Sequence, residues 1–103
     1  MDNLNILLVC GSGASSGFMA ANMRKSAKAQ GLKMEINARS ESEVEFYAAE
    51  ADCIMLGPHL AYLEAELKDR VKETSAKVMV MSKTYYSTLD GAAAIEDLMK
   101  HLG

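Results

Sequence analysis

Leu4-Asn5-Ile6-Leu7-Leu8-Val9-Cys10-Gly11-Ser12-Gly13-Ala14-Ser15-Ser16-Gly17 decides how the rest of the chain is read. Its first six residues are an apolar run rich in branched side chains, short enough for a strand covered on both faces. A cysteine then leaves the run and enters a loop of small, uncharged residues. From about Phe18 to Gln30 a helical pattern follows, with Met19, Ala20, Met23 and Ala27 on one stripe and Gly31 as its stop. Strand, glycine-rich turn and helix together place backbone N–H groups at a helix N-terminus, where unsatisfied donors and the helix dipole favour an anion. A thiol held there is expected to be acidified.

The chain continues as an alternation of strands and helices. Met34, Ile36 and Ala38 alternate with Lys33, Glu35 and Asn37, the pattern of a strand with one wetter face, so the second strand is expected at a sheet edge. Ser40 and Glu43 form a candidate capping box for a helix through Val44, Tyr47, Ala48 and Ala51, with Glu41, Glu43, Glu45 and Glu50 as its solvated face. Cys53-Ile54-Met55-Leu56 reads as a third strand, closed by Gly57-Pro58-His59 with Pro58 suited to a first helical turn. Leu60, Leu63, Leu67 and Val71 continue as an amphipathic helix. Val78 to Met81 is a fourth strand and Ser82 to Thr88 a polar loop, after which Asp90 caps a last helix with an Ala92, Ile95, Met99 and Leu102 stripe.

Four strands alternating with helices imply an α/β domain with a four-stranded parallel sheet, order 2-1-3-4, and helices on both faces. The switch point then falls between strands 1 and 3, where ligands of such sheets bind beyond the strand carboxyl ends. The Cys10 loop and the Gly57-Pro58-His59 turn should therefore face each other. The 103 residues, half of them apolar, suit one domain from residue 1 to 103. A net charge of −3 with scattered basic residues argues against a general nucleic-acid or membrane-surface binder. Nothing at the start resembles a signal sequence and no apolar run reaches membrane-spanning length, which points to a cytoplasmic protein without membrane insertion.

The two cysteines receive opposite readings. A thiolate is the nucleophilic form, and donors at a helix N-terminus lower a thiol pKa from about 8.5 into a range of roughly 3.5–7.5. Gly11, Gly13 and Gly17 allow unusual backbone angles and close approach, while Ser12, Ser15 and Ser16 add hydroxyl donors beside Ala14. Residues 11 to 17 are thus the candidate phosphate-binding segment and Cys10 the candidate nucleophile, against the alternative of Cys10 as a buried small hydrophobe. Cys53 lies roughly 10 Å below the Cys10 level at about 3.3 Å per residue, beyond disulfide reach, and reads as core.

No dinucleotide or nucleotide-triphosphate glycine pattern is present, and His59 and His101 lie too far apart in sequence for a metal ligand set. Phe18, Pro58, His59 and Tyr62 are candidate residues of the site rim or of a partner contact, with packing as the alternative for Phe18 and Tyr62. Low-molecular-weight cysteine phosphatases also place a cysteine after strand 1, but their loop ends in an arginine where this chain has Ser16. Without a guanidinium to clamp the equatorial oxygens, hydrolysis should be poorly catalysed.

The Cys10 loop after a first apolar strand, Ser15-Ser16 after Gly13, and Leu56-Gly57-Pro58-His59 followed by Tyr62 resemble the IIB component of the sugar phosphotransferase system, of the lactose/cellobiose/chitobiose type. The resemblance covers essentially the whole chain. It implies that Cys10 takes a phosphoryl group from a phosphohistidine of a soluble IIA partner and gives it to a sugar held by a membrane-embedded IIC transporter, with no cofactor and no metal. The protein would then be cytoplasmic and reach the membrane through IIC. Members of that family often have Met-Ser-Thr-Ser after the loop glycine and Gln after Gly-Pro, where this chain has Ala14-Ser15-Ser16-Gly17 and His59. Two other classes remain open on the residues alone: a phosphatase or arsenate-reducing thiol enzyme, and a noncatalytic anion-binding module.

Overall fold

The computed structural model describes residues 4–10 and 14–102, with the side chains of Cys10, Ala14, Ser15 and Ser16 outside that description. Strand β1 (Leu4–Cys10) runs through the middle of the molecule because its side chains are apolar in both directions, Ile6 and Leu8 to one face, Leu7 and Val9 to the other. It is paired in parallel with β2 (Met34–Ser40) and with β3 (Cys53–Leu56), and β3 with β4 (Lys77–Val80). The order is 2-1-3-4, as the sequence implies. The register sets Ile6 beside Cys53, Val9 beside Leu56 and Cys10 beside Ser40.

One face is covered by two long helices, α1 (Ala14–Ala29) and α5 (Gly91–Leu102). Met19, Ala20, Met23 and Ala27 of α1 are all buried there, on the stripe read from sequence, and Gly31 ends the helix at φ +73°. Met55, Met79 and Met81 join Met19 and Met23 in the same cluster, consistent with methionine filling irregular gaps. On α5 the buried stripe is Gly91, Ala94, Ile95 and Leu98 rather than Ala92, Ile95, Met99 and Leu102, with Ala92 exposed. The Asp90 carboxylate accepts the Ala93 amide at 3.1 Å, the cap expected of it. The two helices approach so closely at Gly91 that an added Cβ would lie 2.4 Å from the Asn22 carbonyl carbon.

The opposite face is covered by shorter pieces. After β2 come a 3-10 turn (Glu41–Glu43), one α-turn, α2 (Val44–Tyr47), and a second 3-10 turn (Ala48–Glu50). The Glu43 carboxylate accepts from the Ser40 amide at 3.4 Å and from the Ser40 hydroxyl at 3.0 Å, so the expected capping pair is present. Val44, Ala48 and Ala51 are buried, but Tyr47 turns outward and carries the Arg39 guanidinium 4.8 Å above its ring. After β3, a kinked 3-10 segment (Pro58–Leu63) leads into α3 (Glu64–Arg70), with Pro58 in its first turn and Leu60 and Leu67 buried. The acidic run is not simply a solvated face. Arg70 donates to Glu45 at 2.9 Å and pairs with Glu66 at 3.4 Å and Glu41 at 3.6 Å, tying α3 to the segment after β2.

The amino ends of the strands are laced by one residue. Asp52 donates its amide to the Asn5 carbonyl (2.7 Å), accepts the Asn5 amide on its carboxylate (2.8 Å), and accepts the Lys77 amide on its carbonyl (3.2 Å). The carboxyl ends are left to hold the site.

Candidate functional site

At the carboxyl rim, β1 ends at Cys10 and β3 gives way to Gly57, whose amide donates to the Val9 carbonyl at 3.2 Å. The Cys10 connection and the Gly57-Pro58-His59 turn therefore leave adjacent strands at the same level, the convergence the switch point demands. Ser40, the register partner of Cys10, closes the other side.

Helix α1 begins at Ala14, four residues earlier than the apolar stripe suggests. Ala14, Ser15, Ser16 and Gly17 are consequently its first turn and not loop. The amides of Ala14, Ser15 and Ser16 are donors that an α-helix cannot satisfy internally, and no acidic side chain stands in that turn to offset the dipole. Gly17 is helical, so it does not provide the unusual backbone angle of the sequence reading, and the space where a Cβ would go is open. Gly11, Ser12 and Gly13 lie outside the described residues, as do the side chains of Cys10, Ala14, Ser15 and Ser16.

Gly57 has its own reason to be glycine. A Cβ there would meet the His59 imidazole at 2.6 Å, so the ring rests against the bare backbone of the turn. His59 is exposed, and its ring centroid lies 6.0 Å from that of Tyr86 at a tilt of 52°. Tyr86 belongs to a short helix, α4 (Lys83–Tyr86), which replaces the polar loop expected over residues 82–88. Pro58, His59, Lys83, Tyr86 and Ser87 line a shallow groove between the two segments. Sequence reading missed α4, although Ser82 as an N-cap was available as a signal: its hydroxyl accepts the Thr84 amide at 3.1 Å. Phe18 and Tyr62 are 67% and 76% exposed, which removes the packing alternative for both. Phe46, at 82%, is a further exposed aromatic that the sequence did not single out.

Cys53 is a different cysteine in every respect. It is fully buried, four register positions below Cys10, and burial pushes its thiol up to about 12, with Lys77 lowering it and Asp52 and Asp97 raising it to smaller extents. Tyr85 nearby is likewise raised, first by burial and then by the hydrogen bond its hydroxyl donates to Asp97 at 2.6 Å. Both are parts of the core. Among the described residues no three His, Cys, Asp or Glu side chains gather as a metal-ligand set, and no helix is long and apolar enough to cross a membrane.

The rim thus sets a cysteine at the switch point of the sheet, followed after three residues by the first turn of a helix. Comparison with known proteins identifies the class. The sequence pattern of the "PTS system, Lactose/Cellobiose specific IIB subunit" family matches residues 5–97, and the chain belongs to that family. It is 29% identical over 94 residues to the oligo-beta-mannoside-specific EIIB component of Bacillus subtilis, covering 91% of each chain. It is 28% identical over 102 residues to the galactose-specific EIIB component of Lactococcus lactis subsp. cremoris, covering 91% of this chain and 94% of that one. The fold matches the lactose-specific IIB domain of Streptococcus pneumoniae with a TM-score of 0.89 at 16% identity, over 99% of this chain and 100% of that one. This chain is thus a phosphotransferase component of a sugar phosphotransferase system, a type of protein that works with IIA and IIC partners.

Proposed function

We propose that Cys10 is the phosphoryl carrier of this chain. The observation that supports the reading is the short path from Cys10 at the end of β1 to the uncompensated first turn of α1. In the first step the Cys10 thiolate attacks the phosphorus of a phosphohistidine on the IIA partner. The S–P bond forms as the N–P bond breaks, and the departing imidazole takes up a proton. In the second step a hydroxyl of a sugar held by the IIC transporter attacks. The O–P bond forms as the S–P bond breaks, the hydroxyl proton passes to a base, and the thiolate is regenerated. Such transfers require alignment and compensation of charge on the equatorial oxygens, and the amides of Ala14 to Ser16 can provide the second. Neither step calls on a metal or cofactor.

Gly11, Ser12 and Gly13 complete the phosphate cradle in this reading, while Phe18, Pro58, His59 and Tyr62 form the rim that both partners reach. The protein acts in the cytoplasm and meets the membrane through IIC. The sugar is a glycoside that the transporter selects. Relatives named for oligo-beta-mannosides and for galactose are almost equally similar to this chain, so identity does not choose between them.

The test is intact mass after mixing the chain with phosphorylated IIA. Wild type should gain one phosphoryl group, discharged by IIC-containing membranes and sugar, and Cys10→Ser should gain none while keeping its fold by circular dichroism. Rapid release of free phosphate without IIC would favour the phosphatase reading. Anion binding unchanged in Cys10→Ser, with no adduct on wild type, would favour a binding module.

A further inference from the structure

The two helical layers of this sheet differ in charge. On α1 and α5, Arg24, Lys25, Lys28 and Lys100 outnumber Glu96 and Asp97; between residues 41 and 72 carboxylates outnumber lysine and arginine. Glu41, Glu43, Glu45, Glu64 and Glu66 all belong to the short elements on the second face. Arg70 draws Glu41, Glu45 and Glu66 together but leaves the group as a whole negative. On the same face, α2 and the 3-10 segment ahead of α3 carry the two most exposed aromatic side chains, Phe46 and Tyr62. Tyr62 lines a groove with Ser40, Glu41, Ser42, Leu60 and Leu63, and its Ser40 end is the register neighbour of Cys10. The groove therefore opens from the reacting strand end onto an acidic, aromatic surface.

From this arrangement we infer that the face formed by residues 40–46 and 60–66 docks the basic cytoplasmic loops of the membrane transporter. The inference rests on the phosphocarrier reading and deepens it. Cytoplasmic loops of membrane proteins carry an excess of lysine and arginine, and an acidic surface is their electrostatic complement. The anionic inner leaflet would repel the same surface, which makes protein loops and not lipid the occupant. Exposed aromatic side chains amid the charge provide the apolar anchor such contacts need. The phosphohistidine donor is then free to approach from the Phe18 side of Cys10.

The experiment measures co-sedimentation of the full chain with vesicles carrying IIC, alongside the two half-reactions. The variants are Glu64→Lys, whose wild-type carboxylate is paired only with Lys68 among the described residues, and Glu41→Gln, which keeps its backbone carbonyl on Arg70. At low salt each should weaken sedimentation and raise the KM for the carrier in transfer to IIC, Glu64→Lys by about tenfold. Phosphorylation by IIA should stay within about twofold of wild type, since steering of a distant encounter is unaffected. Added salt should narrow the gap between wild type and variants, and vesicles of anionic lipid alone should retain neither. Wild-type affinity in Glu64→Lys, equal losses in both half-reactions, or binding to lipid alone would each overturn the assignment. Should wild type accept no phosphoryl group yet still sediment with IIC vesicles in a salt-sensitive way, the docking face stands and the carrier reading falls.

Discussion

The two faces of the sheet are held by different means. On one, α1 and α5 are long helices that meet backbone to backbone at Gly91 and bury methionines and an alanine-rich stripe. On the other, three short turns, a kinked 3-10 segment and a seven-residue helix share one small cluster and a set of ion pairs centred on Arg70. The second face also leaves Glu35 and Asn37 of β2 exposed beside Arg39. Shape complementarity fixes the first face, so it tolerates little change; polar contacts fix the second, and its outer residues are available for recognition.

Gly91→Ala should break the comparison most severely. The methyl group would meet the Asn22 and Met23 backbone, which cannot swing aside as a side chain end can, and the expected loss is about 2–3 kcal/mol in denaturant unfolding. A second test addresses the same face by titration. The Cys53 thiol ionises near 9.0 when unfolded and at about 12 when folded, so the folded state holds its proton more tightly. The stabilisation is complete below pH 9 and is lost as pH rises from 9 toward 12, by about 1.4 kcal/mol per unit over that window. The slope of stability between pH 9 and 10 should therefore flatten in Cys53→Ala. Native Cys53 should also resist alkylation at pH 8 while reacting in denaturant. The smallest effect belongs to the other face. Arg70→Met should cost about 1 kcal/mol or less, because the partner carboxylates are largely solvated, and the difference should shrink in high salt.

How much of this was legible in advance follows the same division. The strands, their order and the α1 stripe were readable because apolar side chains recur there with a clean period. The start of α1 was not, because the run Ala14-Ser15-Ser16-Gly17 carries no apolar period in the sequence. Tyr47 was assigned inward from a 3.6-residue repeat, but 3-10 turns on either side of α2 advance by three residues and shift the phase. The α5 stripe is displaced toward Ala94 and Leu98 because the Gly91 contact sets the helix rotation, a tertiary fact absent from any local pattern. Of the rim, the Gly57-Pro58-His59 turn was foreseen from proline and glycine chemistry. The arrival of Tyr86 beside His59 was not, since it depends on a four-residue helix with one cap. The gathering of Glu41, Glu45 and Glu66 on Arg70 joins residues 25 and 29 positions apart, which sequence spacing does not reveal.

The lacing at Asp52 gives the molecule a direction of opening. One residue crimps β1, the entry to β3 and the entry to β4 at the end of the sheet away from Cys10. Brief separations of the strands that do not unfold the whole domain must then start at the carboxyl rim and travel downward. Amide protons of Val9 and Gly57 should exchange with solvent through such partial openings, whereas those of Asn5 and Asp52 should wait for global unfolding. Fluctuation is thereby confined to the end where two partners must be accommodated in turn.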